Sequence, residues 1–268
     1  MYNQTEVFNK IWEDYLTQNP TVKEVYDLFT SKGETVINDH IAFRTFNDPR
    51  VNIDVMSKAF LDMGFEYVQD YNFSVKHLNA RHFESNSDKI PRIFISELRL
   101  EKMSPFLQRV AKDSVDKMSN DVLNNPLIFL TGRTWGKPSF DIYQKLRDES
   151  EYAAWVYVYG FRANHFTVSI NSLKQFPEIK QVNDLLTDNG FELNNVGGTI
   201  KGSPVELLEQ SSTIAGKLPI EFKEGIEEIP SCFYEFAKRY PDTDGKLFSG
   251  FIAKSANKIF ESTNYYKD

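Results

Sequence analysis

The chain reads as an α+β protein of two fused βαβββ modules that together form one curved mixed sheet, with helices ahead of the first module and a helical insertion between the two. Three repeated features predict this. Two strands, Asp39-His40-Ile41-Ala42-Phe43-Arg44-Thr45-Phe46 and Asn164-His165-Phe166-Thr167-Val168-Ser169-Ile170, each set a polar residue and a histidine before a run of strand formers. A helix-length segment then leads to Asp62-Met63-Gly64-Phe65-Glu66 in one half and Asp188-Asn189-Gly190-Phe191-Glu192 in the other, with histidine-to-glycine separations of 24 and 25 residues. Each glycine reads as a left-handed helix C-cap that opens into a new strand. Finally, an Ile-Pro step precedes a further strand in each half, at Ile90-Pro91 and Ile229-Pro230.

The predicted organisation is one domain over 1–268. It comprises a first module at 34–100, a helical insertion at 101–150, a second module at 151–245 and a packing segment at 246–268. Helices are expected at 4–17 and 20–32, the second capped at Asn19 or Thr21 and ended by Gly33, with apolar residues at helical spacing to cover the sheet. In the first module strand 40–46 is followed by the turn Asn47-Asp48-Pro49, a helix at 51–63, and strands at 66–71, within 74–83, and at 93–98. Pro105, Pro126 and Pro138 break the helical insertion. Ala153–Tyr159, dense in Trp and Tyr, predicts a strand that leads through Gly160 into the His165 strand. A helix at 175–188, a strand from Phe191, a Gly197-Gly198 turn, short runs at 205–209 and 217–220, and a strand at 232–239 complete the second module. The tail carries Phe248, Phe251, Ile252, Ile259 and Phe260, which is too apolar for a free end.

Composition narrows the function. With 31 basic against 38 acidic residues the net charge is −7, so the chain lacks the basic surface that nucleic-acid binding requires. The single cysteine, Cys232, excludes an intrachain disulfide and a Cys-rich zinc site and fits a reducing cytoplasm. No stretch approaches the ~20 apolar residues of a membrane span. Residues 1–18 mix charged and apolar positions as an amphipathic helix does, unlike a signal peptide. No phosphate-binding loop, dinucleotide fingerprint or nucleophile elbow is present.

The chemistry concentrates on four residues. Alternation puts His40 and Arg44 on one strand face, and His165 occupies the place of His40 in the second copy. Glu235 stands between Tyr234 and Phe236 on a central strand, where an unpaired carboxylate is costly unless a cation meets it. Aligning the halves at the Ile-Pro steps pairs Ser96 with Glu235, so one metal site is expected per chain. Two histidines and one carboxylate hold a divalent ion on one face and leave the others open, a set suited to Fe(II). The competing account of Glu235 is a buried pair with Arg239 or Lys238, and that of Arg44 is a structural salt bridge. His77 and His82 are expected at the surface or in supporting positions.

The His40-to-Arg44 strand, the Asn164-His165 strand, the Phe233-Tyr234-Glu235-Phe236 segment and the Ile259-Phe260-Glu261-Ser262-Thr263 tail resemble the 2-oxoadipate dioxygenase/decarboxylase family over nearly the whole chain. The resemblance implies a vicinal-oxygen-chelate-like core in which His40, His165 and Glu235 hold Fe(II) and Arg44 binds the substrate, with His40 and Arg44 at the catalytic centre. It further implies that 2-oxoadipate, or a similar 2-oxo acid, and O2 give 2-hydroxyglutarate and CO2 in lysine breakdown. The better-known members are longer. Two other readings share these residues: a Zn- or Ni-dependent isomerase or hydrolase of a small oxo compound on the same fold, and a small-molecule-binding module without catalysis.

Overall fold

The computed structural model describes residues 3–87 and 89–263. Helices α1 (Gln4–Thr17) and α2 (Pro20–Ser31) come first. Asn3 caps α1 by accepting from the Glu6 backbone, and Pro20 opens α2, so Thr21 lies inside the helix. Asn19 does not cap α2 through its side chain. Its amide oxygen instead accepts from the Cys232 backbone N–H at 2.9 Å, which ties the helix pair to the second half of the chain.

The first module runs β1 (Asn38–Phe46), α3 (Ile53–Asp62), β2 (Glu66–Phe73), β3 (Leu78–Glu84) and β4 (Arg92–Leu98). The connecting stretch contains α4 (Pro105–Asp116), α5 (Asn120–Leu123), α6 (Phe140–Glu149) and α7 (Glu151–Tyr159). The second module follows with β5 (Ala163–Ser169), α8 (Ile179–Asp188), β6 (Lys201–Ser203) and β7 (Leu208–Ser212). The hairpin β8 (Lys217–Glu221) and β9 (Ile226–Pro230), then β10 (Phe233–Arg239) and α9 (Ala253–Ile259), complete it.

Eight strands form one curled sheet in the order β2-β3-β4-β1-β5-β10-β7-β6, and β8 and β9 form a separate two-stranded ribbon. The order is symmetric about the antiparallel contact of β1 with β5, because each module places its first strand at the seam, parallel to its last. The local conformations repeat as well. Gly64 and Gly190 end α3 and α8 with φ of +89° and +85°, and the tight turns before β3 and β7 each contain a left-handed residue, His77 and Leu207. The predicted fold class is therefore correct.

The two faces of the sheet do different work. Phe43, Phe166, Tyr234 and Phe236 point to one face, where they pack against Phe60, Trp12, Tyr15 and Phe29 of the helices. His40, His165 and Glu235 lie on the other face. There Phe251 packs on His40 and Phe94, and Phe260 on Phe73. The tail thus folds back as expected, although residues 264–268 lie outside the described residues.

Three expectations are corrected. Ala153–Tyr159 is helical, not a strand: Ser150 caps α7 by accepting from the Ala153 N–H, and every residue from Tyr152 to Tyr159 is buried. A helix surrounded by protein shows no amphipathic period, so aromatic content misreads it as a strand. Gly160, at φ +78°, ends it where a Cβ would strike the Gly132 backbone. Next, the stretch from Phe191 makes a single bridge, Leu193 to Thr213, and Val205 lies in a 3₁₀ turn before β7. Finally, the strand register pairs His40 with Arg92 and His165 with Phe233, so the counterpart of Glu235 is Phe94 and not Ser96. The Ile-Pro steps are not equivalent: Pro91 immediately precedes β4, whereas Pro230 ends β9 and two further residues separate it from β10. Among the described residues no helix is long and apolar enough to cross a membrane.

Candidate metal centre

Three adjacent strands bring the ligand candidates together. His40 on β1 stands opposite Thr167 on β5, and Thr167 stands opposite Glu235 on β10. His165, two residues before Thr167, points to the same face. Ligand atoms of His40, His165 and Glu235 all lie within 4.8 Å of one another, and all three residues are buried. His165 Nε2 is 3.1 Å from Glu235 Oε2, and His40 Nε2 is 3.8 Å from Glu235 Oε1.

A hydrogen bond at Nδ1 orients each imidazole from behind. His40 Nδ1 donates to Asp39 Oδ1 at 2.8 Å, and His165 Nδ1 donates to Asn164 Oδ1 at 3.2 Å. A neutral imidazole with Nδ1 protonated presents a lone pair at Nε2. Burial holds the His165 imidazole below its ordinary pKa, against the opposing pull of Glu235. Burial alone would raise the Glu235 carboxyl, but His40, His165 and Gln210 outweigh it and leave its pKa lowered. The two imidazole Nε2 atoms thus face the Glu235 carboxylate at 3.1 and 3.8 Å, an arrangement that a divalent cation satisfies.

Neither proposed salt-bridge partner reaches Glu235. Arg239 is bound to Asp39 and Lys238 to Glu178. Glu235 Oε1 instead accepts from Gln210 Nε2 at 2.5 Å, and the Gln210 Oε1 atom has no hydrogen-bond partner among the described residues. Thr167 Oγ1 lies 3.0 Å from His40 Nε2. The sequence reading missed Thr167 and Gln210 at this centre. Thr167 could have been found from its strand alternation with His165, but Gln210 carried no local signal.

Arg44 sits farther along β1, 1 % exposed. Its Nη1 donates to Glu151 Oε1 at 2.8 Å and its Nη2 to Thr263 Oγ1 at 3.4 Å, while Tyr152, Trp155 and Phe260 surround the guanidinium. The Arg44 Nε has no hydrogen-bond partner among the described residues. Glu151, Tyr152 and Phe260 also line a cavity of about 200 Å³ that continues to Lys76, His77 and Met103. His77 therefore lies beside a surface cavity. His82 is fully buried, hydrogen-bonded to the Tyr71 hydroxyl and Glu84, and away from the ligand group.

A curled sheet of paired βαβββ modules with a buried His-His-Glu group at its seam defines a vicinal-oxygen-chelate-like fold with a group that could hold a metal. A glyoxalase-superfamily structure from Ralstonia eutropha shares the fold at a TM-score of 0.75, with 19% identity over 90% of this chain and 83% of that one. More narrowly, the chain belongs to the 2-oxoadipate dioxygenase/decarboxylase family, whose model matches residues 4–128 and 127–246. A 2-oxoadipate dioxygenase/decarboxylase from rice, named as chloroplastic/amyloplastic, is 35% identical over 96% of this chain and 78% of its own length. A rice hydroxyglutarate synthase crystallised with 2-oxoadipate superposes at a TM-score of 0.89, with 34% identity over 96% of this chain and 91% of that one. A Shewanella frigidimarina structure that carries a provisional hydrolase name gives the same TM-score, with 45% identity over 94% of this chain and 99% of the other.

Proposed function

We propose that this protein is an Fe(II)-dependent dioxygenase/decarboxylase that converts 2-oxoadipate, or a 2-oxo acid close to it, and O2 to 2-hydroxyglutarate and CO2. The observation that carries this reading is the buried His40, His165 and Glu235 group, with Arg239 and Lys238 paired elsewhere, in a member of this family. Iron bound there would supply the redox chemistry that lets O2 react with a 2-oxo acid. The chain's own residues have three further tasks. The Nδ1 hydrogen bonds hold both imidazoles with Nε2 inward, the Phe251 ring covers His40, and Arg44 binds a substrate carboxylate. We also propose that it acts in the reducing cytoplasm, which the single buried cysteine, its thiol pushed up to about 12 by burial, supports, and that 2-oxoadipate as substrate would make the reaction part of lysine breakdown.

The test is oxygen uptake and CO2 release by protein purified without air, across a panel of 2-oxo acids, with Fe(II), Zn(II) or Ni(II) added back. Turnover of 2-oxoadipate restored by Fe(II) alone is expected. Hydrolysis or isomerisation supported by Zn(II), with no oxygen consumed, would reject the reading. His40→Ala, His165→Ala and Glu235→Ala should each lose metal and activity yet remain folded, and a variant that keeps both identifies a residue that is not a ligand.

A further inference from the structure

The residue before each candidate ligand histidine is hydrogen-bonded to that histidine, but the two copies differ in charge. Asn164, a neutral amide, accepts from His165, whereas Asp39, a carboxylate, accepts from His40. Asp39 is itself gripped. Arg239 Nε donates to Asp39 Oδ2 at 2.7 Å and Arg239 Nη2 to Asp39 Oδ1 at 2.8 Å, in a two-pronged pair with both side chains at most 3 % exposed. Arg92 Nη1 approaches Asp39 Oδ2 from the neighbouring strand at 3.4 Å. The remaining Arg239 nitrogen, Nη1, donates to the Phe248 and Gly250 carbonyls at 2.8 Å each. The guanidinium lies 5.3 Å from the Phe251 ring centroid, and that ring stands edge-on to His40 at 4.8 Å. One arginine therefore holds both the carboxylate that orients a metal-facing imidazole and the backbone of the segment that covers it.

We propose that Asp39 and Arg239 are positioning residues that fix His40 with Nε2 toward the metal and couple that orientation to the seating of residues 248–251 over the site. This rests on the metal-binding reading of His40, His165 and Glu235. A carboxylate behind a ligating imidazole locks the ring and its tautomer and strengthens its donor atom. Arg239 supplies both buried oxygens of Asp39 with a donor from across the sheet, so it is the part of the device that holds the carboxylate in place. The asymmetry assigns His40 as the more tightly held donor, with His165 on a neutral amide. Because Arg239 Nη1 donates to the Phe248 and Gly250 carbonyls, a disturbance at Asp39 should loosen the cover, and a bound metal should tighten it.

The test uses Co(II) alone as probe on the whole chain, with affinity and visible absorption bands read by titration and with amide hydrogen exchange followed at 248–251. In Asp39→Ala we expect Co(II) affinity to fall roughly ten- to a hundredfold, the bands to shift, and exchange at 248–251 to quicken. Arg239→Lys keeps the charge but not the fork. It should show the same changes to a smaller degree. Co(II) should slow exchange at 248–251 in the wild type and do so less in either variant. Phe60→Leu, which perturbs packing on the opposite face, should leave affinity and bands unchanged. Folded Asp39→Ala with wild-type affinity, bands and exchange would overturn the proposal while leaving the metal reading intact. If Asp39→Ala does not fold, wild-type behaviour of Arg239→Lys overturns it. A wild-type chain that binds no Co(II) overturns both.

Discussion

Arg44 and Glu151 are separated by 107 residues and meet in an ion pair of 2.8 Å, formed because α7 lays its first residue against the far end of β1. The pair occupies one guanidinium nitrogen, and Nε has no hydrogen-bond partner among the described residues. Arg44 thus makes a structural salt bridge, and its Nε donor supports the proposal that it also binds a substrate carboxylate.

Arg44→Ala should retain metal, because a guanidinium offers only donors and cannot ligate. It should weaken productive binding of a dicarboxylic 2-oxo acid by about 2 to 5 kcal/mol, the range for removing one partner of a buried charge pair. Arg44→Lys should recover part of this, since the ammonium lacks the planar fork. Steady-state oxygen consumption with 2-oxoadipate, alongside metal content, decides the matter. Unchanged kinetics in the alanine variant would return Arg44 to a purely structural role.

Lys201 yields a pH prediction. Its side chain is 1 % exposed and donates to the Asn194 and Thr199 carbonyls, and burial, with Lys258 nearby, lowers its pKa to about 8. The folded pKa lies below the unfolded value, so the cost of burying the charge is fully present below pH 8. Above pH 8 the native state sheds the proton while the unfolded chain keeps it to about 10.4, so stability should rise with pH across that window. The gain is at most about 1.4 kcal/mol per pH unit. Urea unfolding of wild type and Lys201→Met at pH 7, 8, 9 and 10 measures it as a difference. A difference that stays flat with pH would show that the lysine titrates normally.

Trp155 tests the helix that sequence patterning misread. Its indole N–H donates to the Ser231 carbonyl at 2.6 Å, joining α7 to the stretch between β9 and β10. Trp155→Phe keeps most of the apolar volume but leaves that carbonyl without its donor. A loss of roughly 1 to 3 kcal/mol is expected in chemical denaturation, with helix content in circular dichroism unchanged. No loss would mean that solvent reaches the carbonyl and replaces the bond.

The amino-acid order by itself determined the duplication, the fold class and the three residues that converge. His40, His165 and Glu235 were legible because strand alternation and repeat spacing are local properties, and a lone carboxylate in an aromatic strand stands out against its neighbours. Tertiary structure decided what depends on partners remote in sequence. Whether Tyr152–Tyr159 is helix or strand turned on burial from every side, which removes the period that pattern reading needs. The counterpart of Glu235 turned on hydrogen-bond register, which made it Phe94 once β9 had taken Pro230. Asp39 finds Arg239 across 200 residues and Gln210 finds Glu235 across 25, contacts created by the closing of the sheet, because in an extended chain no spacing rule links them.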